Sequence, residues 1–142
     1  MEERYPIGVT ATCAVHVVRH DGPEAAYGSW SATIGLRSGE ATVRVPGHYA
    51  GVLAERLGAA AERFAPGQRL ARDEYLDMTA FAADGVETLA LSSTARSPVR
   101  VTLEVPRDEV ELLASLLADA QHLIETLRQR LGLVPDSLPE VL

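Results

Sequence analysis

His16 and His20 stand four residues apart, the spacing at which two imidazoles on a helix can share a metal ion. The run around them, VTATCAVHVVR from Val9 to Arg19, is rich in β-branched residues and reads as a strand, on which the same spacing separates the rings by about 13 Å. One ion cannot bridge them there. His122 and Glu125 form an H-x-x-E pair on one helical face, but a carboxylate-bridged metal needs several such ligands on facing helices, and no second motif is present. A solvated helix face is the expected role of that pair. Asp73, Glu74, Asp77 and Asp84 cluster in sequence, as a general acid and base would require, yet they flank two strands whose alternation sends neighbours to opposite faces. Solvating a sheet edge is what they are expected to do. Cys13 is the single cysteine, too few for an internal disulfide or a multi-cysteine metal site, and its apolar surroundings suit a small buried thiol.

No G-x-S-x-G or G-x-G-x-x-G occurs. The basic residues are 13 arginines and no lysine, which removes both the lysine of a phosphate-binding P-loop and Schiff-base chemistry. With no nucleophile, base and orienting group at usable spacing, the chain is expected to be no enzyme and to hold no cofactor and no metal. Binding remains. Arg19, Arg37, Arg44, Arg96 and Arg100 all fall in or beside strands, whereas the helices carry most of the acids, so one sheet face is expected to be locally basic. Trp30, Tyr27, Tyr75 and Phe81 also belong to strand regions, and Trp30 with the five arginines makes a candidate nucleic-acid face on which bases can stack. A net charge of −7 opposes nonspecific attraction to phosphate backbones and favours a basic protein partner.

The elements that must position these residues follow from periodicity and turn chemistry. Val9–Arg19 is the first strand and ends at His20-Asp21-Gly22-Pro23. Residues 29–37 alternate Trp30, Ala32, Ile34 and Leu36 against small or polar neighbours and form the second; Ala41–Val45 is a short third. A helix is expected from Pro46 to about Phe64, with Tyr49, Val52, Leu53, Leu57, Ala60 and Phe64 on one stripe. A polar connector leads to strands 75–83 and 86–94 around Asp84-Gly85, a strong hairpin signal, and then to strand 99–105. Pro106 opens a second helix to about Leu131, with Asp108, Glu109 and Glu111 in its first turns.

A constant offset of 60 pairs Val45-Pro46 with Val105-Pro106, Leu53 with Leu113, and Leu57 with Leu117. The expected fold is therefore α+β, two β-β-β-α units spanning about 9–64 and 74–131 of a single domain 1–132, with antiparallel sheets packed by two helices. The second helix, at roughly 25 residues and about 40 Å, exceeds what a small sheet covers. Val110, Leu113, Leu117, Ala120, Ile124, Leu127 and Leu131 follow heptad spacing, and Leu112, Leu116 and Leu123 form a second stripe beside them. A homo-oligomer through Leu112, Leu116, Leu123, Leu127 and Leu131 is expected. The tail 133–142 contains two prolines and several apolar residues, and is expected to pack on the domain or a partner.

With 46 % hydrophobic and 23 % charged residues the chain can bury an ordinary core. No apolar run reaches the 18–20 or so residues that cross a bilayer, and the start Met1–Pro6 has no basic n-region or apolar h-region, so a cytoplasmic protein without membrane contact is expected. Cys13-Ala14-Val15-His16-Val17, Ala90-Leu91-Ser92-Ser93 and Leu103-Glu104-Val105-Pro106, with the twofold order of strands and helix, resemble the SsgA-like actinobacterial proteins and the Whirly-type architecture. Val43–Tyr49 stands where the SsgA-like family has a Trp-x-Phe-x-Arg-Asp-Leu-Leu stretch. The resemblance implies a non-catalytic regulatory or scaffolding protein working through protein contacts in cell division or development. An acidic inhibitor or immunity-type protein for a basic partner and a single-stranded nucleic-acid binder are the alternatives.

Overall fold

A computed structural model describes residues 2–20, 32–94 and 101–131. The first half runs β1 (Glu2–Val9), β2 (Ala14–His20), β3 (Ala32–Ser38), β4 (Ala41–Pro46), a 3-10 turn (Gly47–Tyr49) and helix α1 (Ala50–Glu62). The second half runs β5 (Arg69–Arg72), β6 (Leu76–Ala83), β7 (Val86–Ser93), β8 (Thr102–Pro106) and helix α2 (Arg107–Leu131). The strands form two antiparallel four-stranded sheets, in the orders β1-β2-β3-β4 and β5-β6-β7-β8. The protein is thus α+β, with a strand-and-helix unit that occurs twice and a long second helix. No helix among the described residues is long and apolar enough to cross a membrane.

Each unit carries a fourth strand beyond the three expected, and in both cases it is the first of the unit and an edge of its sheet. β1 contains two glutamates and Pro6, and β5 is four residues with an arginine at each end. Charge and proline are what an edge tolerates and what an apolar pattern search passes over. The expected strand Val9–Arg19 is accordingly interrupted. Thr10 donates its amide to the Cys13 carbonyl at 2.7 Å and its hydroxyl accepts the Cys13 amide at 3.0 Å, closing a turn between β1 and β2. Thr12 at the tip donates its amide and hydroxyl to Glu109 on α2, at 3.0 and 2.9 Å. Cys13 is 3 % exposed, and burial, with only partial offset by a backbone hydrogen bond, pushes its thiol up to about 11.

Alternation sets which side chains enter the core. Ile34 pairs with Val45 and Leu36 with Val43 across β3 and β4; Leu89 pairs with Val105 and Leu91 with Leu103 across β7 and β8. All eight are buried in one hydrophobic cluster with Leu53, Leu57, Leu113 and Leu117, each of these four fully enclosed. The 60-residue offset therefore holds at the level of burial. It also holds at the junctions, since Pro46 and Pro106 are each the last residue of their unit's final strand. Pro46 is extended, at φ −67° and ψ 151°, and the 3-10 turn delays α1 to Ala50, whereas α2 starts directly at Arg107. The hairpin at Asp84-Gly85 has φ of 52° and 80°, the left-handed pair that a two-residue primed turn requires.

α2 packs along α1 and also over β1, β2, β7 and β8. Its second apolar stripe is therefore largely used inside the chain rather than left for another copy. Leu116 is 9 % exposed and lies against Gly8 of β1, where a Cβ would come within 2.6 Å of its methyl group; Leu127 is 7 % exposed. Leu123 is half-buried against the core, and Leu112 alone of these is open, at 48 %. The Leu131 side chain and the tail lie outside the described residues.

Candidate anion-binding face

The register of the first sheet assigns its outer face. Arg4 and Pro6 on β1 pair with Val18 and His16 on β2; His16 pairs with Gly35 on β3, Gly35 with Arg44 on β4, and Arg37 with Thr42. Residues opposite each other in a ladder share a face. Arg4, His16, Arg37 and Arg44 therefore stand on one side of the sheet, in a chain of net charge −7; the one acidic position of the same parity on the described strands is Glu2, at the far end of β1 opposite His20. The three arginines are exposed. A groove of about 350 Å³ runs along this face, bounded by Arg4, Pro6, Val9, Ala14, His16 and Arg37. Burial first, and then Arg4, Arg44 and Arg37, hold the His16 imidazole below its ordinary value. The arginines' share of that effect reflects a locally positive field.

The expected basic set is divided by the structure. Arg37 and Arg44 share the face, and the Arg37 Nε also donates to the Gly39 carbonyl at 3.0 Å. Arg19 sits at an odd separation from His16 and points to the other side, where it pairs with Glu3 at 3.0 Å. Arg96, Arg100 and Trp30, with Tyr27, lie outside the described residues. Arg4, which the sequence reading passed over with its strand, completes the set. No family model and no curated protein matches the chain. Geometry has to carry the functional reading.

The other chemical candidates stay apart. Asp77 pairs with Arg69 at 3.2 Å on the second sheet, and Asp84 occupies the β6–β7 turn. The described residues contain no group of three His, Cys, Asp or Glu side chains able to hold a metal ion. Asp73 has a role the sequence did not disclose. One carboxylate oxygen accepts the amides of Tyr75 and Leu76, at 2.7 and 3.0 Å, and the other accepts the Tyr49 hydroxyl at 2.5 Å and the Arg56 guanidinium. Burial pushes this carboxyl up, but the hydrogen bonds from Tyr49, Leu76 and Tyr75 and the charge of Arg56 outweigh it and leave Asp73 below its ordinary value. Burial and then Asp73 push the Tyr49 hydroxyl well up. A carboxylate with four donors and a phenol that resists ionisation make a tether between α1 and the strand β6, not an acid-base pair. The sequence signal was Asp-x-Tyr-Leu, an Asx turn entering a strand.

Proposed function

We propose that this protein is a non-catalytic regulatory or scaffolding protein that works by docking an acidic segment of a protein partner on the outer face of the first sheet. The observation that supports the reading is the set of exposed Arg4, Arg37 and Arg44 with the half-buried His16 on one face, three of the four lining a groove, in an otherwise acidic chain. This reverses the sign of the partner that net charge suggested. Local field, not total charge, decides what a face attracts. A setting in cell division or development rests on the SsgA-like resemblance alone. Self-association, if α2 contributes, runs through the open Leu112 and not through the whole stripe.

Single-stranded nucleic acid is the second reading, favoured by the same three arginines, which can contact phosphates. It is weaker because the described face carries no aromatic ring besides the imidazole, and base stacking supplies much of the affinity of single-strand binders.

Fluorescence anisotropy with a labelled Glu/Asp-rich peptide and with a labelled oligothymidylate separates the two. The peptide is expected to bind more tightly at low salt, and replacing Arg4, Arg37 and Arg44 together by serine is expected to weaken it about tenfold, at roughly 0.5 kcal/mol for each exposed pair lost. Tighter binding of the oligonucleotide, or a triple variant that binds the peptide as the wild type does, would exclude the acidic-segment reading.

A further inference from the structure

The outer face of the first sheet contains a group whose surroundings no simple basic patch needs. His16 lies over Gly35, its partner across β2 and β3, so closely that a Cβ at Gly35 would come within 2.3 Å of Nε2. Gly35 is thus the floor on which the ring rests. Nε2 is buried there and has no hydrogen-bond partner. The charged groups that face the ring are Arg4 from β1, Arg44 from β4 and Arg37 from β3; Glu2 has the same parity on β1 but stands four residues along the strand from Pro6, the ring's neighbour in the ladder. Its neighbour on β1 in the ladder is Pro6, which is uncharged. An imidazole placed among three guanidinium groups resists a further positive charge until something negative arrives.

We propose that His16 is a proton-coupled subsite of this face, at which a carboxylate of the partner and one proton bind together. This rests on the acidic-segment reading above. Burial and the arginine field together hold the ring neutral; a carboxylate held among Arg4, Arg37 and Arg44 offsets the field, and within about 4–6 Å it favours the imidazolium. The proton comes from the solvent when the partner docks and returns to it on release; no covalent bond forms or breaks. Protonation turns both ring nitrogens into donors, so the face then offers one more cation and one more hydrogen-bond donor to the same carboxylate. Linkage makes the effect reciprocal: a partner that raises the ring's affinity for a proton must itself bind more tightly as the pH falls. The alternation of the strand explains why one histidine can do this, since β2 presents His16 to the arginines while its neighbours Val15 and Val17 enter the core.

The test uses the whole chain and a labelled Glu/Asp-rich peptide, whose carboxylates stay ionised from pH 8 down to 5.5. Anisotropy is expected to show severalfold tighter binding at pH 5.5 than at pH 8; a rise of about one pH unit in the ring's titration midpoint caps the change at about tenfold. Calorimetry near pH 6.5 in buffers of different ionisation enthalpy is expected to show net proton uptake, and H16Q is expected to bind equally at the two pH values. NMR of the His16 ring gives a reading that needs no variant: its midpoint lies below the ordinary value in the free protein and rises when the peptide is added. A midpoint that the peptide leaves in place, or an H16Q chain that keeps the wild type's pH dependence, overturns the coupling and leaves docking intact. A wild type that binds no peptide at either pH removes docking itself, and the coupling with it.

Discussion

Asp73→Ala is expected to lower the stability of the folded chain by about 2–4 kcal/mol, somewhat less than the 3–5 kcal/mol of a fully buried broken pair because Arg56 keeps about a third of its side chain in water. Four donors lose their acceptor at once, two of them the amides that start β6. Against a total of about 5–15 kcal/mol for a domain this is a large share. The pH dependence follows from the same contacts. The carboxyl is held below its ordinary value in the folded state, so its contribution is fully present above the unfolded value near 4 and is lost as the pH falls through the lower folded value. Urea unfolding at pH 7 and pH 3 is expected to show a gap between wild type and Asp73→Asn that narrows at the lower pH. An equal gap at both would mean that the side chain acts through shape and not through its charge.

Leu116→Glu is expected to cost about 4 kcal/mol or more, since it buries a charge against Gly8 of β1 at a position only 9 % exposed. Leu112→Glu, one turn earlier on the open side of α2, is expected to change stability by no more than about 0.5 kcal/mol. Their shared place on the second apolar stripe made the two leucines look alike. Thermal melts monitored by circular dichroism distinguish them, and light scattering on the stable Leu112→Glu chain then reads self-association without the confusion of unfolding. A stable Leu116→Glu chain would show that α2 is not seated on the first sheet as described.

What could be read in advance follows the physics of burial. The central strands were legible because β3, β6 and β7 place apolar side chains on one face at every second position, and the long helix because its core stripe runs without a break from Val110 to Leu127. β1 and β5 were not legible, since an edge strand needs few apolar residues, and Pro6 and the arginines of β5 argue against a strand when taken one at a time. The arginine face was legible only in part. Arg19 and His16 are three apart on one strand and so must face opposite sides, which parity alone could have told. Arg4 needed a strand not yet seen, and joining Arg37 to Arg44 needed the register that the Gly39 turn sets. Asp73 looked like one solvated acid among four because its partner Arg56 lies on α1, a contact that no local pattern contains.

The Thr10–Cys13 turn has a consequence for how the folded chain breathes. Its one thiol is shielded and stays un-ionised at neutral pH, so a soluble alkylating reagent finds no nucleophile in the intact molecule. Reaction requires the turn to open, and the turn cannot swing away while Thr12 remains bonded to Glu109. The speed at which Cys13 is labelled, well below any unfolding transition, therefore counts the occasions on which the first hairpin lifts from the long helix, and places that event on the free-energy ladder of local openings.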